Sequence, residues 1–142
     1  MNISHLAKVE LHLHLEGAAP PAFIRQLACE KKVDIGGIFA PDGRYAFGGF
    51  TEFLAVYEAA TQVLQSPEDF HRLTLAVLAE CAANDVIYVE SFLSPEFCGG
   101  GDLSAWREYL QAIREAAAQA EAQHSILTVS YTHLTLPTNR CV

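Results

Sequence analysis

Two histidines and a glutamate stand two residues apart in the stretch KVELHLHLEGAAPP: His12, His14 and Glu16. Successive side chains of an extended strand point to opposite faces. His12, His14 and Glu16 are therefore expected on one face, with Leu11, Leu13 and Leu15 on the other. The Cα atoms of His12 and His14 would lie roughly 6.5–7 Å apart, near enough for two neutral imidazoles to converge on one metal ion. Imidazole suits zinc, and a catalytic zinc site needs further ligands and an open position for water. A pair of ordinary strand histidines, exposed or bonded to backbone, is the plainer alternative.

What positions these residues follows from the rest of the chain. Residues 8–15 read as a strand that Gly17 and the Pro20-Pro21 pair end, with a helix at about 20–32 burying Phe23, Ile24 and Leu27. Residues 34–49, DIGGIFAPDGRYAFGG, are glycine-rich and read as a surface excursion. Phe50, Phe53, Leu54 and Tyr57 recur at i, i+3, i+4, i+7 and mark a helix of about 50–64. Ser66-Pro67-Glu68-Asp69 is a helix start: a serine cap, a proline in the first turn, and acids that complement the helix dipole. That helix should run to about Asn84 and bury Phe70, Leu73, Val77, Leu78 and Cys81. VIYVESFL, residues 86–93, is β-branched and mostly apolar, as in a sheet covered on both faces. FCGGGD is a loop, residues 104–123 are a helix with Trp106, Leu110 and Ile113 inward, and a third strand starts at 125–129.

Alternating strands and helices imply parallel βα units. In parallel α/β barrels functional side chains gather at the C-terminal ends of strands, where His12, His14 and Glu16 fall. Three strands cannot close a barrel of eight, so the chain is expected to be a piece of one. The bulk numbers agree with one domain: 142 residues, 51% hydrophobic and 18% charged. Nine Lys and Arg against seventeen Asp and Glu give a net charge of −8, a poor match for a phosphate backbone, so no nucleic-acid partner is expected. Cys29, Cys81, Cys98 and Cys141 form no CxxC pair and read as reduced thiols. Neither a signal peptide nor a membrane-length apolar run is evident, so a cytoplasmic protein without membrane contact is expected.

The last residues read differently. VSYTHLTLPT, residues 129–138, is spelled by GTC TCT TAT ACA CAT CTG ACG CTG CCG ACG and resembles one frame of the transposon-derived adapter of DNA sequencing libraries. Residues 1–128 are thus expected to be the native part. Residues 129–142 are expected to be adapter read-through, loosely placed, with no functional weight on His133 or Cys141.

KVELHLHLEGAAPP also resembles the opening of the adenosine deaminase family, among the metal-dependent amidohydrolase-like barrels, whose first strand carries HxHxD/E-G and a small residue. FTEFLAVYEAATQVLQSPEDF resembles the family's helical lid, and VIYVESFLSP its second strand with the closing Ser-Pro. The match covers about residues 7–128. It implies the N-terminal βα units of a (β/α)8 barrel, with His12 and His14 as two ligands of a zinc cofactor. It also implies a purine nucleoside substrate, with Glu16 accepting from the ribose 5′-hydroxyl and Phe50, Phe53, Leu54 and Tyr57 closing over the nucleoside beside His14. On spacing alone that stripe reads as helix core. Glu90 could support the site or be a paired structural acid, and Phe92 stands where the family commonly has arginine. His71 and His124 read as surface residues.

The family's other metal ligands and its catalytic glutamate lie on later strands, so no catalytic residue is assigned here and the isolated chain is expected to be inactive. The implied parent reaction is adenosine and water to inosine and ammonia. Adenine or another adenosine-like compound is the alternative substrate, and a non-catalytic βα fragment the alternative class. The H-x-E and P-C-x-x-C pattern of another zinc deaminase class is absent from the sequence.

Overall fold

The computed structural model describes residues 5–132. Three parallel strands form one sheet in the order β1-β2-β3, with β1 Lys8–His14, β2 Val86–Phe92 and β3 Leu127–Tyr131. Four α-helices join or flank them: α1 Pro21–Lys31, α2 Phe50–Thr61, α3 Pro67–Ala83 and α4 Leu103–His124. A short 3₁₀ turn, Glu16–Ala18, follows β1. None of the described helices is long and apolar enough to cross a membrane.

Local chemistry accounts for the helix ends. The Ser66 hydroxyl accepts from the Asp69 N–H at 3.2 Å, with Pro67 in the first turn, as the sequence suggests. Asp102 caps α4 in the same way, accepting from the Ala105 N–H at 2.8 Å. Lys31 of α1 forms an ion pair with the buried Asp69 of α3. Asp69 also accepts from the Gln65 N–H at 2.8 Å. Burial pushes the Asp69 carboxyl up, but the Lys31 ammonium and these donors outweigh it and hold the group below its usual range.

The core lies on the helical side of the sheet. Leu15, Ile24, Leu27, Val63, Phe70, Leu73, Leu93 and Ile113 are almost fully buried in one cluster, and Leu78, Val89, Ala120 and Ile126 form a second. Phe23, Cys81, Trp106 and Leu110 pack at the margin, half-buried. The opposite sheet face is open, which leaves Val9, Leu11, Leu127 and Val129 exposed. β2 is therefore covered on one face only, not on both as its composition suggests.

Three residues of the tail fall in the sheet. Val129, Ser130 and Tyr131 pair with Glu90, Ser91 and Phe92 as the end of β3. Strand pairing uses backbone N–H and C=O groups, so a sheet edge accepts an extended segment with little regard to its side chains. His133, Cys141 and the remaining tail residues lie outside the described residues.

Candidate active site

β1 does not keep the simple alternation. Leu11 is paired with Glu90 and Leu13 with Ser91, so His12 is an extra residue in the strand, and its φ is 67°. This is a bulge, which bends a strand and re-aims its side chains. Leu11 consequently sits 56% exposed, while Leu13 and Leu15 turn toward the core. The expectation that all three leucines share a face fails for Leu11. The two histidines still meet: their rings stand edge to face with centroids 5.2 Å apart.

Their neighbours come from the next two strands. The Phe92 ring lies 4.6 Å from His14 and 5.8 Å from His12, centroid to centroid. His12 Nδ1 and the Tyr131 hydroxyl are 2.6 Å apart. That bond engages one ring nitrogen of His12, and its partner lies in the segment expected to be adapter read-through.

Glu16 has left the strand altogether. It opens the 3₁₀ turn, is 2% exposed, and does not extend the histidine face. The chain must turn at once into α1, and the turn swings the carboxylate under α2. There Oε1 accepts from the Tyr57 hydroxyl at 2.8 Å and from the Ser94 hydroxyl at 2.7 Å. Burial raises the Tyr57 phenol far above its ordinary value, and the Glu16 carboxylate adds to the shift. Oε2 is buried without a partner.

Gly17 makes the closure possible. A Cβ built there would stand 2.7 Å from Tyr57 Cε2, closer than real contacts allow. Tyr57 thus packs against the turn. A cleft of about 380 Å³ is bounded by His12, Leu13, His14, Gly17, Ala18, Phe53, Leu54 and Tyr57. A smaller, half-open pocket of about 40 Å³ is lined by Glu16 and shares Gly17, Phe53 and Tyr57 with the first. His14, Phe53, Leu54 and Tyr57 are brought together; Glu16 does not line that cleft. Phe50 does not line it: the side chain is 74% exposed, and its ring stands 6.3 Å from that of Phe53, centroid to centroid.

Glu90 accepts from the Tyr88 hydroxyl at 3.0 Å, which suits the structural alternative. His124 is exposed and His71 half-buried. The sequence reading named Phe92 only as a departure from the family and Ser94 only within the closing Ser-Pro; it missed their contacts with His14 and Glu16 and the fit of Gly17 to Tyr57. Ser94 follows the β2 strand and Glu16 follows β1, so the parallel pairing of the two strands was the signal available for that contact.

The adenosine deaminase family model matches residues 7–136. The chain belongs to this family. An adenine deaminase of Agrobacterium fabrum is 40% identical over 125 residues, covering 88% of this chain and 38% of the relative. The crystal structure of an adenine deaminase from Arthrobacter aurescens superposes with a TM-score of 0.68 at 27% identity, covering 86% of this chain and 38% of that one. An amidohydrolase from Burkholderia ambifaria, solved with bound Zn, gives 0.72 at 23% identity over 92% and 36% of the two chains. The chain thus spans about 38% of the length of the first relatives it matches. Its parallel sheet and helices correspond to the N-terminal part of the deaminase barrel.

The metal can be weighed on the residues present. Among the described residues no group of three or more His, Cys, Asp or Glu is placed to hold an ion. Two adjacent imidazoles match part of a zinc donor set and fall short of the three protein ligands usual at a catalytic zinc.

Proposed function

We propose that a protein of the relatives' full length, carrying this chain as its first part, is a zinc-dependent deaminase of free adenine. The reaction adds water at C6 of the purine and expels the exocyclic amine, giving hypoxanthine and ammonia. His12 and His14 would hold zinc together with ligands from outside this chain; bound zinc lowers the pKa of water so that a nucleophile exists near neutral pH. The chain's own residues shape the pocket. Phe53, Leu54 and Tyr57 offer an apolar wall to the purine face, and Phe92 packs His14 into one orientation. The general acid and base are expected from later strands.

One observation supports adenine over its nucleoside. Glu16, the residue the family resemblance gives to the ribose hydroxyl, does not line the cleft, is buried, and already holds two internal donors. A base without a sugar needs no acceptor there. The name adenine deaminase carried by the relatives supports the same choice. Adenosine is the second reading, because Oε2 carries no partner and a 5′-hydroxyl would supply one if Tyr57 swung aside.

The test is an assay of the full-length enzyme on both substrates. A higher kcat/KM for adenine is expected; a higher value for adenosine overturns the proposal. His12→Ala and His14→Ala should each abolish zinc retention and turnover. The 142-residue chain with added zinc should release no ammonia from either substrate.

A further inference from the structure

The His14 imidazole meets other rings and, among the described residues, no hydrogen-bonding partner. A histidine that ligates a metal normally donates its second ring N–H to a carboxylate, a carbonyl or water, which fixes the tautomer and the plane of the ring. His12 has a polar partner, the Tyr131 hydroxyl at 2.6 Å, but Tyr131 falls in the segment expected to be adapter read-through. No hydrogen bond reaches the His14 ring from any described residue. Its ring contacts are His12, edge to face at 5.2 Å, and Phe92 at 4.6 Å, centroid to centroid.

Phe92 comes from outside the strand that carries the pair. It ends β2, stands opposite His14 in the parallel register, and is half-buried. Its ring also lies 5.8 Å from that of His12, so the three rings close a triangle. Two imidazoles on one strand can each turn about χ1 and χ2. A third ring packed against both from the neighbouring strand removes that freedom, and ring pairs at such distances attract beyond the area they bury. Phe92 does not line the cleft, so it acts on the histidines and not on a ligand in the cleft. A phenyl ring neither ligates a metal nor exchanges a proton, which leaves orientation as its contribution. We propose that Phe92 is a positioning residue for the metal pair: its ring sets the plane of His14, the task that a hydrogen-bonded partner performs at other ligating histidines.

This inference rests on the reading of His12 and His14 as zinc ligands, and the test separates the two. In the full-length enzyme, zinc affinity is measured by competition with a chelator, and the cobalt-substituted form is followed by its visible d–d absorption. Phe92→Leu keeps an apolar side chain and removes the ring plane. It should weaken zinc binding about tenfold, the low end for loss of a partner that orients a ligand, and shift the cobalt bands. Phe92→Tyr keeps the ring and should restore both. Phe70→Leu removes a ring from the buried core; it should lower unfolding stability and leave the cobalt bands in place. In the metal-free wild type, nuclear Overhauser contacts between the His14 and Phe92 rings and a single His14 ring orientation give a readout that needs no variant. Unchanged zinc affinity and cobalt bands in Phe92→Leu, equal band shifts in Phe70→Leu, or a wild-type His14 ring that averages between orientations would overturn the proposal. Wild-type zinc affinity in both His12→Ala and His14→Ala would overturn the ligand reading, and this inference with it.

Discussion

Replacing Gly17 by alanine should loosen α2 from the sheet, and its cost can be worked from the geometry. The new methyl would stand 2.7 Å from Tyr57 Cε2, so the ring has to move. Gly17 has no positive φ, so the effect comes from the contact and not from backbone strain. Moving the ring breaks the 2.8 Å bond from Tyr57 to the Glu16 carboxylate. A hydrogen bond to a charged group contributes about 1.5–3 kcal/mol, and forcing an extra methyl into a packed site costs about 1–3 kcal/mol. Relief of the clash is what breaks the bond, so the two costs overlap. A loss of about 2–4 kcal/mol is expected, a large share of a stability of about 5–15 kcal/mol. Tyr57→Phe alone should cost about 1.5–3 kcal/mol. The decisive measurement is the double variant by urea unfolding. Once Gly17→Ala has displaced the ring, deleting the hydroxyl should add less than about 0.5 kcal/mol, a departure from the additivity of independent sites. Full additivity would refute the claim that Gly17 exists to seat Tyr57 on Glu16.

Acid should act through Asp69. Its carboxyl is held below the usual range in the fold, so its contribution is present above the unfolded pKa of about 3.9 and fades as pH falls through the lower folded value. Asp69→Asn should cost about 3 kcal/mol at pH 7, the low end for a broken buried pair because Lys31 is partly exposed, and should flatten the stability-pH profile below about pH 4; equilibrium unfolding across pH 2–7 checks both. Thiol labelling followed by peptide mapping should mark exposed Cys29 before Cys81 and Cys98. Cys98 should stay unlabelled until unfolding, since burial, helped by the Glu16 carboxylate, pushes its thiol up to about 12. Zinc titrated into the isolated chain should bind weakly and in a His12- and His14-dependent way; nanomolar affinity would mean that the chain completes a metal site by itself. Recovery of the source DNA checks the proposal that residues 129–142 derive from an adapter, and a natural genomic frame running through Arg140 would refute it.

What the sequence determined by itself was the order of elements and the identity of the chemical groups. Hydrophobic spacing, the Ser66-Pro67 start and the β-branched run at 86–93 are local signals, and each produced its element within a few residues of the observed bounds. The HxH pair was legible for the same reason, since two residues of one strand stay neighbours whatever the rest of the fold does. The tertiary structure alone decided where Glu16 goes. Period-two alternation assumes a straight strand, and two departures end that assumption within five residues: the bulge at His12 and the 3₁₀ turn at Glu16. Both arise because β1 must pair with β2 and then pass at once into α1, a constraint between segments about 80 residues apart. The partners that fix the Glu16 carboxylate, Tyr57 and Ser94, lie 41 and 78 residues further on, and no local pattern names them. The same holds for the exposed Leu11 and Val129. Their composition asks for burial, and only the openness of a three-stranded sheet leaves that face uncovered.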